Sequence, residues 1–172
     1  MNILALFKPI KTFVFDVDGV LATDLLLIEQ NTMARSMNSK DGYGLQLAVK
    51  RGYRVVIISG GRSTPVKDRL NGLGIQDVYL GETNKSQALT QYVTDNNLKW
   101  EEILYMGDDI PDLEPMLLVG LPCCPYDAVN EVKQISKYIS PLVGGKGCGR
   151  DVIEKVLKLN GHWDLDTTVP SK

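Results

Sequence analysis

The stretch Thr12-Phe-Val-Phe-Asp16-Val-Asp18-Gly19-Val-Leu21 decides the fold of this chain. Its first four residues are aromatic or β-branched, a composition typical of a buried strand. Two carboxylates, Asp16 and Asp18, follow at the end of the strand where open α/β sheets bind ligands. Because two carboxylates at one edge repel each other and lose hydration, we expect a cation between them, and Mg²⁺ prefers oxygen ligands. An ordinary turn at Asp18-Gly19 is the alternative if this stretch is taken alone.

A second acidic cluster, Gly107-Asp108-Asp109-Ile110-Pro111-Asp112, follows the apolar run Ile103-Leu104-Tyr105. Pro111 and Asp112 are predicted to open a helix that continues through Leu118. Asp109 or Asp112 could simply cap that helix. Three carboxylates within five residues exceed what one helix start can use, so the cluster indicates a second acidic contribution to the same sheet edge.

Two further positions extend this pattern. Ser59-Gly60-Gly61 follows the predicted strand 54–58, and a hydroxyl followed by two glycines lets backbone N–H groups approach an anion closely. An unremarkable loop before a helix near Thr64 is the alternative there. Lys85 opens a later helix, where a lone lysine is usually a solvated charge. Its significance comes only from the order of the other three motifs.

The order Asp-x-Asp-Gly, Ser-Gly, Lys, Gly-Asp-Asp-x-x-Asp resembles the haloacid dehalogenase superfamily, most of whose members are phosphatases. The resemblance runs from about Thr12 to Leu159. It is closest to the capless branch that contains the 3-deoxy-D-manno-octulosonate 8-phosphate phosphatases and their sialic-acid-type relatives. The segments that carry this closer similarity are Lys40-Asp41-Gly42-Tyr43-Gly44, Asp68-Arg69-Leu70, Leu73-Gly74-Ile75 and the glycine-rich stretch Ser140 to Arg150.

The resemblance implies a role for each motif. Asp16 would attack phosphorus, and Asp18 would be the general acid/base, with its backbone carbonyl facing the metal. A Mg²⁺ cofactor is implied, with Asp16, Asp18 and Asp108 as its ligands. The other implied site residues are Ser59 and Lys85, which with Gly60 hold phosphoryl oxygens; Asp109 and Asp112 as supporting groups; and Asn38, Lys40, Asp41, Gly42, Gly60, Arg62 and Arg69 as substrate-binding residues.

The substrate implied by the resemblance is 3-deoxy-D-manno-octulosonate 8-phosphate, an intermediate of lipopolysaccharide precursor synthesis, hydrolysed through an aspartyl-phosphate. Two positions depart from that pattern. The octulosonate phosphatases usually carry an arginine where this chain has Gly61 and a basic residue where it has Gln46, and both are associated with binding the anionic sugar acid. Arg62 could compensate by a small shift. A nonulosonate 9-phosphate or another small sugar phosphate therefore stays open as the substrate.

Two hypotheses from other functional classes are alternatives to a phosphatase. Some domains of this branch are non-catalytic oligomerisation modules, but that reading predicts damage to the acidic set, whereas Asp16, Asp18, Lys85 and Asp108 are all present. A Mg²⁺-dependent phospho-acceptor receiver domain shares acidic strand ends and a lysine. It explains neither Asp-x-Asp-Gly nor the apolar segment that follows.

Composition favours a single enzyme domain spanning 1–172, a length that allows a sizeable core. A net charge of −2 excludes the basic footprint of a nucleic-acid-binding protein. Three cysteines fit neither a disulfide framework nor a zinc pattern and indicate a reducing cytoplasm. The apolar N-terminus is short and is interrupted by Lys8-Pro9, so we expect no secretory signal and no membrane span.

The pattern of the whole chain predicts an α/β fold: a Rossmann-like parallel sheet with helices on both faces. Strands are predicted at 12–17, 54–58, 77–80, 102–106, near 121 and near 137–140, and helices at about 41–51, 64–72, 85–97, 111–119, 127–136 and 150–159. Residues 22–38 are predicted to form a β-hairpin in place of a cap domain. Its exposed Leu25 to Ile28 predicts burial between subunits, and capless relatives form homotetramers. The tail at about 161–172 is expected to be loosely ordered.

Overall fold

The architecture comes from a computed structural model, which describes residues 2–28, 32–165 and 167–169 apart from the side chains of Asp24, Ile28 and Thr32. In chain order the strands are β1 (Thr12–Phe15), β2 (Ala22–Ile28), β3 (Thr32–Met37), β4 (Arg54–Ser59), β5 (Asp77–Leu80), β6 (Ile103–Met106), β7 (Leu121–Cys124) and β8 (Tyr138–Ile139). The helices are α1 (Ser39–Lys50), α2 (Thr64–Gly72), α3 (Lys85–Asp95), α4 (Leu113–Leu118), α5 (Asn130–Ile135) and α6 (Cys148–Leu159), with short 3₁₀ turns at 3–6, 100–102 and 110–112.

Six strands form one sheet in the order β5-β4-β1-β6-β7-β8, and every neighbouring pair in it is parallel. The central strand β1 is buried along its whole length, as its apolar sequence predicts. Because the strands are parallel, the residues that follow β1, β4 and β6 all emerge at one edge of the sheet. This edge is where the sequence places its acidic and phosphate-binding motifs.

Alternating side chains of the strands feed two hydrophobic layers, one on each face of the sheet. Phe13 and Phe15 point to the layer that contains Leu45 of α1 and Val152 of α6. Val14 points to the opposite layer, which is built from residues of α3, α4 and α5 such as Leu89, Met116 and Val132. The predicted α/β class, with helices on both faces, is confirmed.

The predicted hairpin is also confirmed, as the antiparallel pair β2–β3, although its tip at 29–31 lies outside the described residues. Leu27 pairs with Met33 and Leu25 pairs with Arg35, so these four residues occupy cross-strand positions on the hairpin. Leu26 and Leu27 are 58% and 83% exposed. Apolar side chains are therefore open to solvent on both faces of the hairpin.

Two helices, α4 and α5, begin later than predicted, and in each case a contact with the acidic loop 107–112 accompanies the later start. The helix expected at 111–119 starts as a 3₁₀ turn over 110–112, because Asp109 and Asp112 form a reciprocal capping box. The helix expected at 127–136 is confined to α5, because the N–H of Val129 donates to the carbonyl of Asp108 at 3.0 Å. Both contacts hold the acidic loop 107–112 in place.

The described part of the C-terminal tail lies against the domain. Trp163 packs on the core, Val169 is buried, and Arg51 forms a 2.7 Å ion pair with Asp164. Residues 166 and 170–172 lie outside the described residues, so a loosely ordered tail stays a prediction.

Candidate active site

The carboxyl ends of β1, β4 and β6 open onto a cleft of about 850 Å³. The cleft brings together the four sequence motifs, which are up to 96 positions apart in the chain (Asp16 to Asp112). The candidate residues that line it are Asp16, Asp18, Ser59, Gly60, Lys85, Asp108, Asp109 and Asp112. All the predicted catalytic, metal-binding and supporting residues are therefore neighbours in space.

Asp16 sits at the base of the cleft and is 7% exposed. Its Oδ1 accepts a hydrogen bond from the N–H of Val17 at 2.6 Å. The chain then curls over 17–22, where the N–H groups of Leu21 and Ala22 both donate to the carbonyl of Val17. Gly19 has a φ of +85°, and a side chain there would overlap the carboxylate of Asp108. The Asp-Gly of the first motif is thus required for the two acidic loops to meet.

Lys85 joins the first and last motifs. Asn84 accepts from the N–H of Gln87 at 2.9 Å and caps α3, which fixes Lys85 in the first turn. The Lys85 ammonium then forms ion pairs with Asp16 at 2.7 Å and with Asp112 at 2.8 Å. Burial acts to lower the pKa of Lys85, but the attraction of the two carboxylates outweighs it and the pKa is raised. Lys85 is therefore cationic beside Asp16, the predicted nucleophile.

Asp112 is fully buried and its oxygens already have four donors. Oδ1 accepts from Lys85 and from the Tyr105 hydroxyl at 2.9 Å, while Oδ2 accepts from the N–H groups of Asp108 at 3.1 Å and Asp109 at 3.4 Å. The position of Asp112 fits the supporting role that the resemblance implies. Tyr105 is a contributor that sequence reasoning missed, and its one signal was a hydroxyl in an otherwise apolar strand.

Asp108 is the carboxylate whose surroundings call for a cation. Its Oδ1 is buried and has no hydrogen-bond partner among the described residues. Burial, followed by repulsion from Asp16 and Asp112, raises the pKa of Asp108 to about 7. Burial and the charge of Asp112 also raise the pKa of Asp16, in spite of Lys85. A bound cation would relieve both penalties.

The residues present fit a magnesium ion. Carboxylate oxygens of Asp16, Asp108 and Asp112 lie within 4.8 Å of one another. Because Asp112 is saturated by four donors, Asp16 and Asp108 are the side chains left to bind the ion directly. That the backbone carbonyl of Asp18 also binds the magnesium ion stays a prediction.

Asp18 carries a contact that the sequence did not indicate. The Arg35 guanidinium of β3 donates to Asp18 from Nε at 2.7 Å and from Nη2 at 3.0 Å, one bond to each carboxylate oxygen. The bond to Asp18 raises the pKa of Arg35 further above its ordinary value. The sequence interpretation used β3 only as a hairpin strand, so this arginine was missed.

Ser59 is the last residue of β4, and Gly60 follows it at the rim of the cleft. Ser59 is 2% exposed, and its hydroxyl lies 3.4 Å from the N–H of Gly61. A Cβ on Gly60 would make only an ordinary contact, 3.7 Å from the carbonyl of Glu82. The space around Gly60 therefore does not by itself require glycine, and the close approach of a phosphoryl group to its N–H stays a prediction.

The remaining predicted substrate-binding residues lie outside the cleft of a single chain. Asn38 caps α1 by accepting from the N–H of Lys40 at 2.8 Å. Asp41 is buried and accepts from the N–H groups of Gly147 at 3.1 Å and Arg150 at 2.7 Å. The other four are Lys40, which lines a separate cavity of about 410 Å³, Gly42 and Arg69, whose guanidinium adjoins Gly42, and Arg62, which lies against Gly81.

The glycine-rich segment 144–149 packs against the loop 17–22 that follows Asp16, here named the catalytic loop. The N–H of Gly145 and the thiol of Cys148 both donate to the carbonyl of Val20, at 2.7 and 3.1 Å. A Cβ on Gly145 would lie 2.6 Å from the backbone nitrogen of Thr23. Asp41 holds the far end of the same segment through Gly147 and Arg150. The observed contacts of Asp41 therefore help to position the loop 17–22 through the glycine-rich segment.

Comparisons with known proteins agree with this geometry. Residues 70–147 match the model of the haloacid dehalogenase-like hydrolase family. The chain is 32% identical over 164 residues to 3-deoxy-D-manno-octulosonate 8-phosphate phosphatase KdsC of Escherichia coli K12, covering 95% of this chain and 87% of the relative. This chain belongs to the haloacid dehalogenase-like hydrolases, as the order of its motifs predicted.

Two solved phosphatase structures are similar to this chain over most of its length. The 3-deoxy-D-manno-octulosonate 8-phosphate phosphatase of Moraxella catarrhalis, solved with magnesium ion, phosphate ion and KDO, has a TM-score of 0.88 at 31% identity, over 92% of this chain and 91% of that one. The Yersinia pestis phosphatase has a TM-score of 0.89 at 28% identity, over 93% and 87% of the two chains.

Within the described ranges, none of the helices combines the length and apolar character needed to cross a membrane.

Proposed function

We propose that this chain is a Mg²⁺-dependent phosphatase that hydrolyses 3-deoxy-D-manno-octulosonate 8-phosphate to the free sugar acid and phosphate. The observation that carries the proposal is the buried group of Asp16, Lys85 and Asp108, in which a nucleophile, a fixed cation and an unpartnered carboxylate oxygen share one cleft. Phosphoryl transfer depends on such positioning and charge neutralisation. The bound Mg²⁺ supplies neutralisation of the phosphoryl oxygens.

The residues of the chain divide the reaction into two steps. In the first, a carboxylate oxygen of Asp16 bonds to phosphorus, the bond to the sugar oxygen breaks, and Asp18 gives that oxygen a proton. In the second, Asp18 takes a proton from water, which attacks the aspartyl-phosphate and releases phosphate and the free Asp16. Ser59, the N–H of Gly60 and Lys85 hold the phosphoryl oxygens during both steps.

The charge of the cleft supports a contribution from neighbouring subunits. Its lining holds seven acidic side chains and one lysine, Lys85. An anionic sugar acid needs more positive charge than this, and the basic candidates Lys40, Arg62 and Arg69 lie elsewhere in the chain. We infer a cytoplasmic homotetramer in which the exposed leucines of β2 are buried between subunits and basic residues of one subunit reach the cleft of another.

A phosphate-release screen tests the function. Purified protein is incubated with 3-deoxy-D-manno-octulosonate 8-phosphate, a nonulosonate 9-phosphate and hexose phosphates, each with Mg²⁺ and after exhaustive chelation. We expect the highest kcat/KM for the octulosonate, only with Mg²⁺, which would place the chain in lipopolysaccharide precursor synthesis. Preference for the nonulosonate would reassign the substrate within the same chemistry. Absence of phosphate release from every substrate would overturn the proposal.

A further inference from the structure

We propose that Arg35 is a positioning residue for the general acid/base Asp18. We also propose that position 61 is glycine because the side chain of any larger residue there would displace the Arg35 guanidinium. The inference rests on the proposed phosphatase function, which it extends by a residue and a specificity position. Its basis is the contact geometry of β3 with the two loops that follow β1 and β4.

The Arg35–Asp18 pair is more than a surface ion pair. Both carboxylate oxygens are bound, at 2.7 and 3.0 Å, by the forked guanidinium. The Arg35 side chain is only 4% exposed, although it projects from a hairpin whose neighbouring leucines are open to solvent. A bidentate, shielded guanidinium fixes the plane of a carboxylate, which a lysine or a solvated partner does not do.

This orientation matters because Asp18 stands two residues from the metal ligand Asp16. A carboxylate free to turn at that point could bind Mg²⁺ through its own oxygens, since these are the ligands that Mg²⁺ prefers. Each Asp18 oxygen accepts only one bond from Arg35 and keeps a further lone pair, through which it can exchange a proton with the leaving sugar oxygen. Proton transfer requires such placement within hydrogen-bond reach.

Gly61 provides the space for this arrangement. A Cβ at position 61 would lie 2.9 Å from Nη2 of Arg35 and 2.9 Å from Oδ2 of Asp18. Position 61 is also where the resemblance leads one to expect an arginine, and the interpretation that Arg62 compensates is not supported by its place against Gly81. In this chain the cation next to Asp18 comes from the hairpin instead.

The arrangement also links the hairpin to the chemistry. Arg35 is the cross-strand partner of Leu25, and Met33 is the partner of Leu27. Any partner subunit that covers these apolar residues therefore holds the strand from which Arg35 reaches Asp18.

The test compares two substrates that differ in their need for a proton. The sugar phosphate has an alkoxide leaving group that must be protonated, whereas 4-nitrophenyl phosphate has a leaving group that departs as the anion. For Arg35→Met we expect release of the leaving group in a single turnover to slow about 10²-fold with the sugar phosphate and far less with the aryl phosphate, with little change in KM. Hydrolysis of the aspartyl-phosphate, in which Asp18 acts as the base, should slow equally with both substrates. Arg35→Lys should recover only part of the loss, because it restores charge without the fork.

A double-mutant cycle gives the second readout. If Arg35 acts through Asp18, Arg35→Met should cause no further loss in an Asp18→Asn background, measured as steady-state hydrolysis of the aryl phosphate, whose second step depends on Asp18 as base. Arg51→Met is the matched control, because Arg51 also pairs with an aspartate, Asp164, but outside the cleft. It should leave both substrates unaffected.

Gly61→Ala provides an independent variant, should Arg35→Met fail to fold. It leaves the hairpin sequence intact and should show the same substrate-selective loss. Equal slowing of leaving-group release with both substrates, or additive losses in the cycle, would overturn the inference. A wild-type chain that hydrolyses neither substrate with Mg²⁺ would instead overturn the proposed function.

Discussion

The backbone of Gly144 lies so close to the carbonyl oxygen of Gly19 that a side chain on Gly144 would overlap it. The two residues are 125 positions apart, and their contact places the segment before α6 directly behind the catalytic loop. Neither the sheet nor the acidic cluster creates this contact. It makes the shape of the loop after Asp16 depend on a distant glycine.

We expect Gly144→Ala to destabilise the fold by about 1–3 kcal/mol or more, since overpacking against backbone has no flexible side chain to absorb it. Turnover should fall as the loop carrying Asp18 shifts. Gly72→Ala is the control: it has open space around its Cα, lies at the end of α2, and should be neutral or slightly stabilising. Denaturant unfolding measures both, and equal stability of the two variants would contradict the close packing at Gly144.

Asp16→Asn should abolish turnover with the fold retained, because an amide is too weak a nucleophile to attack phosphorus. We expect a loss of at least about 10³-fold in kcat, a size typical of removing a nucleophile. Asp95→Asn, a carboxylate outside the cleft, should keep full activity. Beryllium fluoride should bind at Asp16 in the wild type as a phosphoryl mimic. An Asp16→Asn variant with near wild-type turnover would mean that another group attacks.

Mg²⁺ binding should become stronger as the pH rises towards 7. In the metal-free protein the pKa of Asp108 is raised to about 7, chiefly by burial, whereas in the unfolded chain it is about 4. Between these values the folded state holds a proton that the unfolded state has lost, so stability without metal falls as the pH rises through this window. The raised pKa of Asp16 acts in the same direction.

Because Mg²⁺ binds the ionised carboxylates, the rise in Tm that it causes should be small near pH 5 and grow to a plateau above pH 7. Calorimetry with and without Mg²⁺ across this range is the measurement. Asp108→Asn should lose most of the Mg²⁺ effect at every pH. A Tm increment that is the same at pH 5 and pH 8 in the wild type would contradict the assignment of Asp108.

Charge in the hairpin should weaken the proposed assembly. Leu26→Asp with Leu27→Lys replaces two exposed apolar side chains that a monomer has no reason to keep. We expect light scattering to report a smaller species than for the wild type, with a lower kcat/KM for the sugar phosphate. Leu165→Lys is the control, since Leu165 is also highly exposed but lies in the tail. Unchanged mass in the hairpin variant would exclude this surface from the interface.

Much of the fold followed from local sequence patterns. The run Thr12 to Phe15 predicts a buried strand because its aromatic and β-branched residues suit a sheet covered on both faces. The carboxylates after it, and the Ser-Gly at the end of β4, necessarily share one edge once the strands are parallel. The acidic set, Ser59 and Lys85 could therefore be assigned to a single site, and the hydrolase family could be inferred from their order.

Individual contacts within that site were decided by the tertiary structure. The sequence suggested Asp109 or Asp112 as a helix cap, but only the fold shows Asp112 saturated by Lys85, Tyr105 and two backbone donors. Likewise Asp41 was expected to contact substrate, whereas its observed partners are the N–H groups of Gly147 and Arg150.

By itself the sequence determined the class of sheet, the edge at which the four motifs meet and the candidate residues of the site, because strand pattern and motif order are local properties. The tertiary structure decided that Arg35 meets Asp18, that Gly144 meets Gly19 and that Lys40 and Arg69 lie away from the cleft. These contacts join segments far apart in the chain. Their geometry depends on how the hairpin and α6 pack beside the sheet, which no local periodicity encodes.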